Sequence, residues 1–215
     1  MVRDPKRRRQ LLEAALGRFS AEGYEAATTR SIATDAGVSE VVLFRHFPSK
    51  HDLFLAVVAE LGPKELFRHV PAAVRPGESA SAGLRSLVID YLDTTWTHRA
   101  WLKVLFQEAG RNPEAAKALA GQYLGVGEAL QAIFREGVAR GEFREEMAGA
   151  SMQVMVLAVR GFVSRSAARA PADWGAVRDE FVSSLMSVIA ESLRPAQPDR
   201  RESASDGTSR RKQRR

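Results

Sequence analysis

Arg30 and Arg45 bracket a short run, Ser39-Glu40-Val41-Val42, whose side chains can all act on the edges of nucleic-acid bases. Arginine pairs bidentately with guanine, a valine methyl packs on the thymine methyl, and glutamate accepts from the cytosine amino group. This chemistry is useful only if one backbone element carries the residues into a groove together. Residues 28–47 supply such an element: a short helix, a glycine turn and a second short helix, the build of a helix-turn-helix DNA reader.

The framing can be followed residue by residue. Thr28 can cap a helix that packs through Ile32 and Ala33, and Gly37 sits where the chain must leave that helix with positive φ. Ser39 is placed to cap the next helix, with Val38 before the cap and Leu43 inside it at the spacing of a hydrophobic staple. Pro48 disfavours helical geometry at Phe47, and Ser49 with Asp52 three residues on forms a capping box for a further helix. The reader helix is therefore about two turns long, roughly 10–12 Å, comparable with the width of a major groove. Asp4-Pro5 starts a preceding helix with Leu12, Leu16 and Phe19 along one face. The helix from Lys50 runs through Leu53, Phe54, Val57, Val58 and Leu61 until Gly62-Pro63 breaks it.

The pattern Thr-Thr-x-x-Ile-Ala-x-x-Ala-Gly-Val-Ser-x-x-x-Leu-Phe-x-His-Phe-x-Ser-Lys over residues 28–50 resembles the N-terminal domain of TetR-family transcriptional regulators, with residues 4–23 and 53–58 as its flanking helices. The resemblance implies that Thr28, Thr29, Phe44, His46 and Lys50 contact or face phosphates. Such contacts fix register without reading sequence. Phe44 departs from the tyrosine usual there and lacks its hydroxyl, so packing is expected of it. Base readout falls to Ser39, Glu40, Val41, Val42 and Arg45, with Arg30 reaching from the neighbouring helix. The bulky Val41 stands near a position usually small. The run Lys6-Arg7-Arg8-Arg9 is expected to meet phosphate or the minor groove.

Two hundred and fifteen residues can form one or two domains. Breakers divide the chain beyond residue 62 into helical segments at 80–108, with an interruption near Thr97-His98, then 113–140, Glu145–Ala168 and 173–193. No stretch sustains period-two alternation, so the sequence predicts an all-α protein of about nine helices. A three-helix helix-turn-helix domain over residues 1–57 is followed by a larger helical domain over 58–194, for ligand binding and dimerisation. A basic tail over 195–215, without a large apolar residue, is expected to be disordered. Residues 194–215 hold eight Lys/Arg against three Asp/Glu, so the net charge of +6 is concentrated at the ends, as in a polyanion binder.

There is no cysteine, and hence no disulfide or thiolate site. His46 and His51 have poor helical metal spacing. No Gly-rich phosphate loop follows a strand, and no zinc-ligand cluster or nucleophile elbow is present, so neither catalysis nor a cofactor or metal is expected. The absence of an apolar run near 20 residues and of a signal-peptide core predicts a cytoplasmic protein with no membrane partner.

A two-turn helix reads few base pairs, so specificity calls for a second copy. The apolar stripes Met152, Met155, Val156, Val159, Phe162 and Val163, and Phe181, Leu185, Val188 and Ile189, suit a homodimer interface over residues 145–193. A two-fold dimer implies a palindromic operator in double-stranded DNA. TetR-like proteins usually bind a small molecule in the helical domain. Tyr91, Trp96, Trp101, Phe106, Tyr123, Phe134, Met152 and Met155 are the candidate lining, with His98, Arg99, Gln107 and Arg160 as polar anchors. The expectation is a ligand-released repressor. The alternatives are a nucleoid-type architectural protein of low sequence preference and an activator of the same fold.

Overall fold

Asp4 opens the first helix, α1 (Pro5–Glu22), by accepting from the Lys6 amide, and Pro5 occupies a first-turn position where no amide is needed. Side-chain caps start most of the helices that follow. Thr28 accepts from the Ser31 amide at α2 (Thr29–Asp35), and Ser49 from the Asp52 amide at α4 (Lys50–Glu60). Ser79 caps α5 (Ala80–Thr97), Asn112 caps α7 (Pro113–Ala139) and Asp173 caps α9 (Trp174–Leu193). The reader α3 (Glu40–His46) lacks one: Ser39 has the extended backbone of a cap, but its side chain makes no capping hydrogen bond. α6 (Arg99–Glu108) and α8 (Glu145–Ala168) complete the set, with α5 and α6 meeting at His98.

This computed structural model describes residues 4–62, 77–168 and 171–194, without the side chains of 122–125, and all nine elements among them are α-helices. The all-α expectation holds. The Pro71 loop and the basic tail lie outside the described residues, as does the Tyr123 side chain.

Leu11, Leu12, Ala15 and Phe19 of α1 face Ile32, Leu43, Leu53 and Phe54, all fully or almost fully buried. Phe19, Tyr24 and Phe54 pack as a ring triangle with centroids 5.0–5.9 Å apart. Each such side chain contributes roughly 1.5–3 kcal/mol relative to exposure. α1 and α4 are thus the rigid base against which the short α2 and α3 are held. The expected boundary at residue 57 falls inside α4, which continues to Glu60 and packs on α7, while α1 packs on α6.

In the larger helical part, α5, α7, α8 and α9 continue the same buried cluster through Leu84, Leu92, Ile133, Met155, Val182 and Ile189. Gly141, with φ of 70°, ends α7, and the Glu142 carboxylate then accepts from the Ala80 amide at 2.7 Å, which helps start α5. α8 is long and apolar enough, by length and composition, to cross a membrane, contrary to the expectation of no such segment. In this fold it packs against α5, α6, α7 and α9. The expected dimer stripe needs correction as well. Met155, Val159, Phe162, Val163, Leu185 and Ile189 are buried within the protomer, because α8 and α9 turn those faces toward their own core. The outward apolar residues of the two helices are Val154, Leu157 and Val188, exposed by 50%, 67% and 61%.

Candidate nucleic-acid interface and the cavities behind it

Three short-range devices fix α3. The Val38 amide donates to Ala33 O at 2.9 Å, Gly37 takes φ of 64° in the turn, and Leu43 is fully buried against the base. Pinned from below, the helix turns Val41, Phe44 and Arg45 outward, with Val41 exposed by 64% and Phe44 by 44%. Val42 is half-buried. Arg30 and Ser39 are exposed beside this face. Phe44 therefore does not pack inward as its missing hydroxyl suggested; Leu43 takes the inward position next to it.

The residues expected to meet phosphate are in differing situations. Thr28 is exposed, but its hydroxyl caps α2 and lies 3.1 Å from Ser31 Oγ. The Thr29 hydroxyl donates to the Glu40 carboxylate, joining the start of α2 to the first turn of α3. That hydrogen bond engages one oxygen of the carboxylate expected to accept from cytosine, and it places a negative charge where the helix dipole favours one. His46 is buried at the end of α3, its ring 6.3 Å from that of Phe47, below the surface that a phosphate would touch.

Lys50 also departs from expectation. Its ammonium donates to the carbonyls of Tyr24, Glu25 and Ala27 at 2.8, 3.1 and 3.1 Å and lies 4.5 Å from the Tyr24 ring centre. All three donors of the ammonium are engaged by the loop between α1 and α2. In the basic run, Arg8 pairs with Glu60 and lies over the Phe47 ring, while Arg9 pairs with Glu13. Arg18 bridges Asp35 and Glu22. Its hydrogen bond holds the Asp35 carboxyl below its ordinary range against the opposing effect of burial. These pairs tie α1 to the reader unit but place part of the basic run's charge against carboxylates.

The expected ligand lining is dispersed. Tyr91 and Met155 border a cavity between α5, α7 and α8, whose other walls include Val88, Leu130 and Val159. Phe134 and Met152 border a separate, more open groove along α7 and α8. Trp96 instead stacks on Trp174, with centroids 4.4 Å apart and planes at 2°, and Arg99 lies over the Trp96 ring. Phe106 is a partly buried packing residue, and Gln107 is exposed. His98 is half-buried, and burial lowers its pKa.

Trp101 is structural: its indole N–H donates to Val58 O at 3.3 Å, and its ring covers Gly62. Ranking by aromatic and methionine content missed the aliphatic cavity wall. In sequence, Val88, Leu130 and Val159 differ in no respect from helix-core residues. Arg160, expected as an anchor, does border the cavity but is itself exposed. No group of three His, Asp or Glu able to hold a metal ion occurs among the described residues.

Residues 11–57 match the family model described as bacterial regulatory proteins, tetR family. The nucleoid occlusion factor SlmA of Aliivibrio fischeri (strain MJ11) is 31% identical over 123 residues, covering 57% of this chain and 55% of that protein. The HTH-type transcriptional regulator BetI of Cronobacter sakazakii is 36% identical over 101 residues, covering 46% and 50%. The chain thus spans about half the length of the curated relatives it matches. A solved bacterial regulatory protein in the tetR family from Rhodococcus RHA1 superposes with a TM-score of 0.67 over 90% of this chain and 100% of that one. At 22% identity this is a likeness of fold.

Proposed function

We propose that this chain, whose residues 11–57 match the tetR family model, is a transcriptional repressor of the TetR family that binds a palindromic operator as a homodimer, is released by a small molecule and acts in the cytoplasm. The observation that carries this reading is the outward face of α3, where Val41, Phe44 and Arg45 stand exposed on a two-turn helix whose opposite side is locked into the base. Arg45 and Arg30 supply guanine readout, Val41 and Val42 meet thymine methyls, and Ser39 supplies a small polar contact. Thr28, the helix amides and the basic start of α1 hold the phosphates. The exposed apolar residues Val154, Leu157 and Val188 belong to the face that a second copy covers.

Release follows from a population shift. A ligand held among α5, α7 and α8 acts on the base of the reader because α6 packs on α1 and α7 packs on α4. It must bind one spacing of the two α3 helices better than the other, since equal affinity for both shifts nothing.

A second reading is favoured by the similarity to a protein named as a nucleoid occlusion factor, together with the basic residues 194–215. In that reading the chain binds many sites with little sequence preference and regulates no single promoter. Selection of binding sites from random duplex DNA at about 150 mM salt, where phosphate-only binding is weakened, separates the two. An enriched palindrome supports the operator reading; recovery of no preferred sequence supports the second.

A further inference from the structure

The cavity between α5, α7 and α8 has a volume of about 90 Å³ and is bordered by Val88 and Tyr91, Gly127 and Leu130, and Met155 and Val159. Its wall on α7 is unusual. Gly127 lies within a 27-residue helix, where glycine is a poor choice because it has the most conformational freedom to lose. Close packing does not require it: a Cβ built on Gly127 meets nothing within 4 Å. Gly137 in the same helix is the contrast, since a Cβ there would run into the Phe143 ring at 2.2 Å. At Gly127 the absent side chain leaves open space beside the cavity.

We propose that this cavity binds a small, uncharged, lipophilic molecule of the size of a single hydrocarbon ring, and that Gly127 is the opening in α7 that makes room for it. Apolar cavities of roughly 150 Å³ accept benzene. The open space at Gly127 is already part of the present volume, and the step up is supplied by Met155, an unbranched, adaptable side chain on the opposite wall. An ion is disfavoured because the walls are almost wholly apolar, Tyr91 and Arg160 being the polar side chains on the border, and so offer little to replace its water. The charged residue on the border, Arg160, is exposed. The inference rests on the ligand-responsive reading above for its effect on DNA, but occupancy of the cavity does not.

The test uses the full chain with toluene and, as the matched anion, benzoate, measured by thermal shift and calorimetry without DNA. Toluene raises the melting temperature and benzoate does not. Gly127→Ala, which adds a helix former into open space, raises the melting temperature of the ligand-free protein yet weakens toluene binding roughly tenfold or more, the effect of one methyl group in an apolar pocket. Gly121→Ala is the control. It lies in the same helix with nothing within 4 Å of its Cβ and is absent from the cavity wall, so it raises stability and leaves toluene binding unchanged.

Three results overturn the proposal: no response of the unaltered chain to toluene, a stronger response to benzoate, or equal loss of toluene binding in both glycine variants. Adding operator then separates the two readings. Toluene binding that leaves operator affinity unchanged supports the cavity site and contradicts the ligand-responsive regulator.

Discussion

The hydroxyl of Thr29 donates to the carboxylate of Glu40, so the two helices of the reader are joined at the edge where DNA would approach. The bond holds α3 against α2 and at the same time leaves a negative charge close to where phosphates must come. Glu40→Gln keeps an acceptor for Thr29 and removes the charge. Operator and random duplex should both bind more tightly, by up to about fivefold at low salt, the effect of one near-surface charge pair. A loss confined to operator would mean instead that Glu40 reads a cytosine.

Lys50 gives a prediction of a different kind. Its ammonium is committed to the carbonyls of Tyr24, Glu25 and Ala27, so Lys50→Ala should loosen the loop that delivers Thr28. The expected cost is about 1–3 kcal/mol of stability, with weaker binding to every sequence. The dependence of log affinity on log salt should keep its slope. A slope shallower by about 0.9 would show that Lys50 neutralises a phosphate after all.

How much of this was legible beforehand follows from the range of the interactions. Caps, the glycine turn and the breaker at Gly62 are decided within a few residues, so Thr28, Ser49, Gly37 and the helix limits could be read directly. The destination of a long side chain is decided by partners far away in sequence. Lys50 reaches back 26 residues to Tyr24, and Arg8 reaches forward 52 to Glu60; nothing in the spacing distinguishes these from phosphate contacts. The same applies to the apolar stripe of α8. Its periodicity announces a buried face, but only packing shows that Met155 and Phe162 face their own protomer while Leu157 faces out. The aliphatic cavity had no sequence signal apart from Gly127, which the sequence does not set apart from the other glycines inside α7.

Gly62 and Trp101 connect the reader base to α6. A Cβ on Gly62 would lie 2.5 Å from Trp101 Cζ2, so Gly62→Ala must displace the indole that donates to Val58 O. Overpacking of this kind costs about 1–3 kcal/mol. In a Trp101→Ala background the same change should cost much less, and a thermal-denaturation double-mutant cycle measures the difference. Additive effects would show that the two residues do not press on each other.

Asp93 on α5 predicts an acid-sensitive joint with α9. Burial pushes its carboxyl up, but hydrogen bonds from Arg178 at 2.6–2.7 Å and Trp174 Nε1 at 2.9 Å outweigh this and hold it below the ordinary aspartate value. A depressed carboxyl contributes its stability above the unfolded value near 3.8 and loses it as the pH falls through the folded value. Because the Asp93 side chain is 43% exposed, solvent screening limits the pair to roughly 1 kcal/mol. Asp93→Asn should therefore be less stable than the unaltered chain at neutral pH, with the gap closing below about pH 4. A gap independent of pH would assign the loss to packing.

Sequence reading by the exposed face of α3 is measured most directly by the ratio of affinities for a selected palindrome and a scrambled duplex of equal length at about 150 mM salt, for the unaltered chain and for Arg45→Ala. A ratio of at least roughly 10³ is expected for the unaltered chain. On substitution the ratio should fall by the equivalent of about 1–3 kcal/mol per lost guanine contact, with scrambled-duplex affinity much less affected. A ratio near one, or equal losses on both duplexes, would contradict sequence reading by α3 and leave the basic ends as the source of DNA binding.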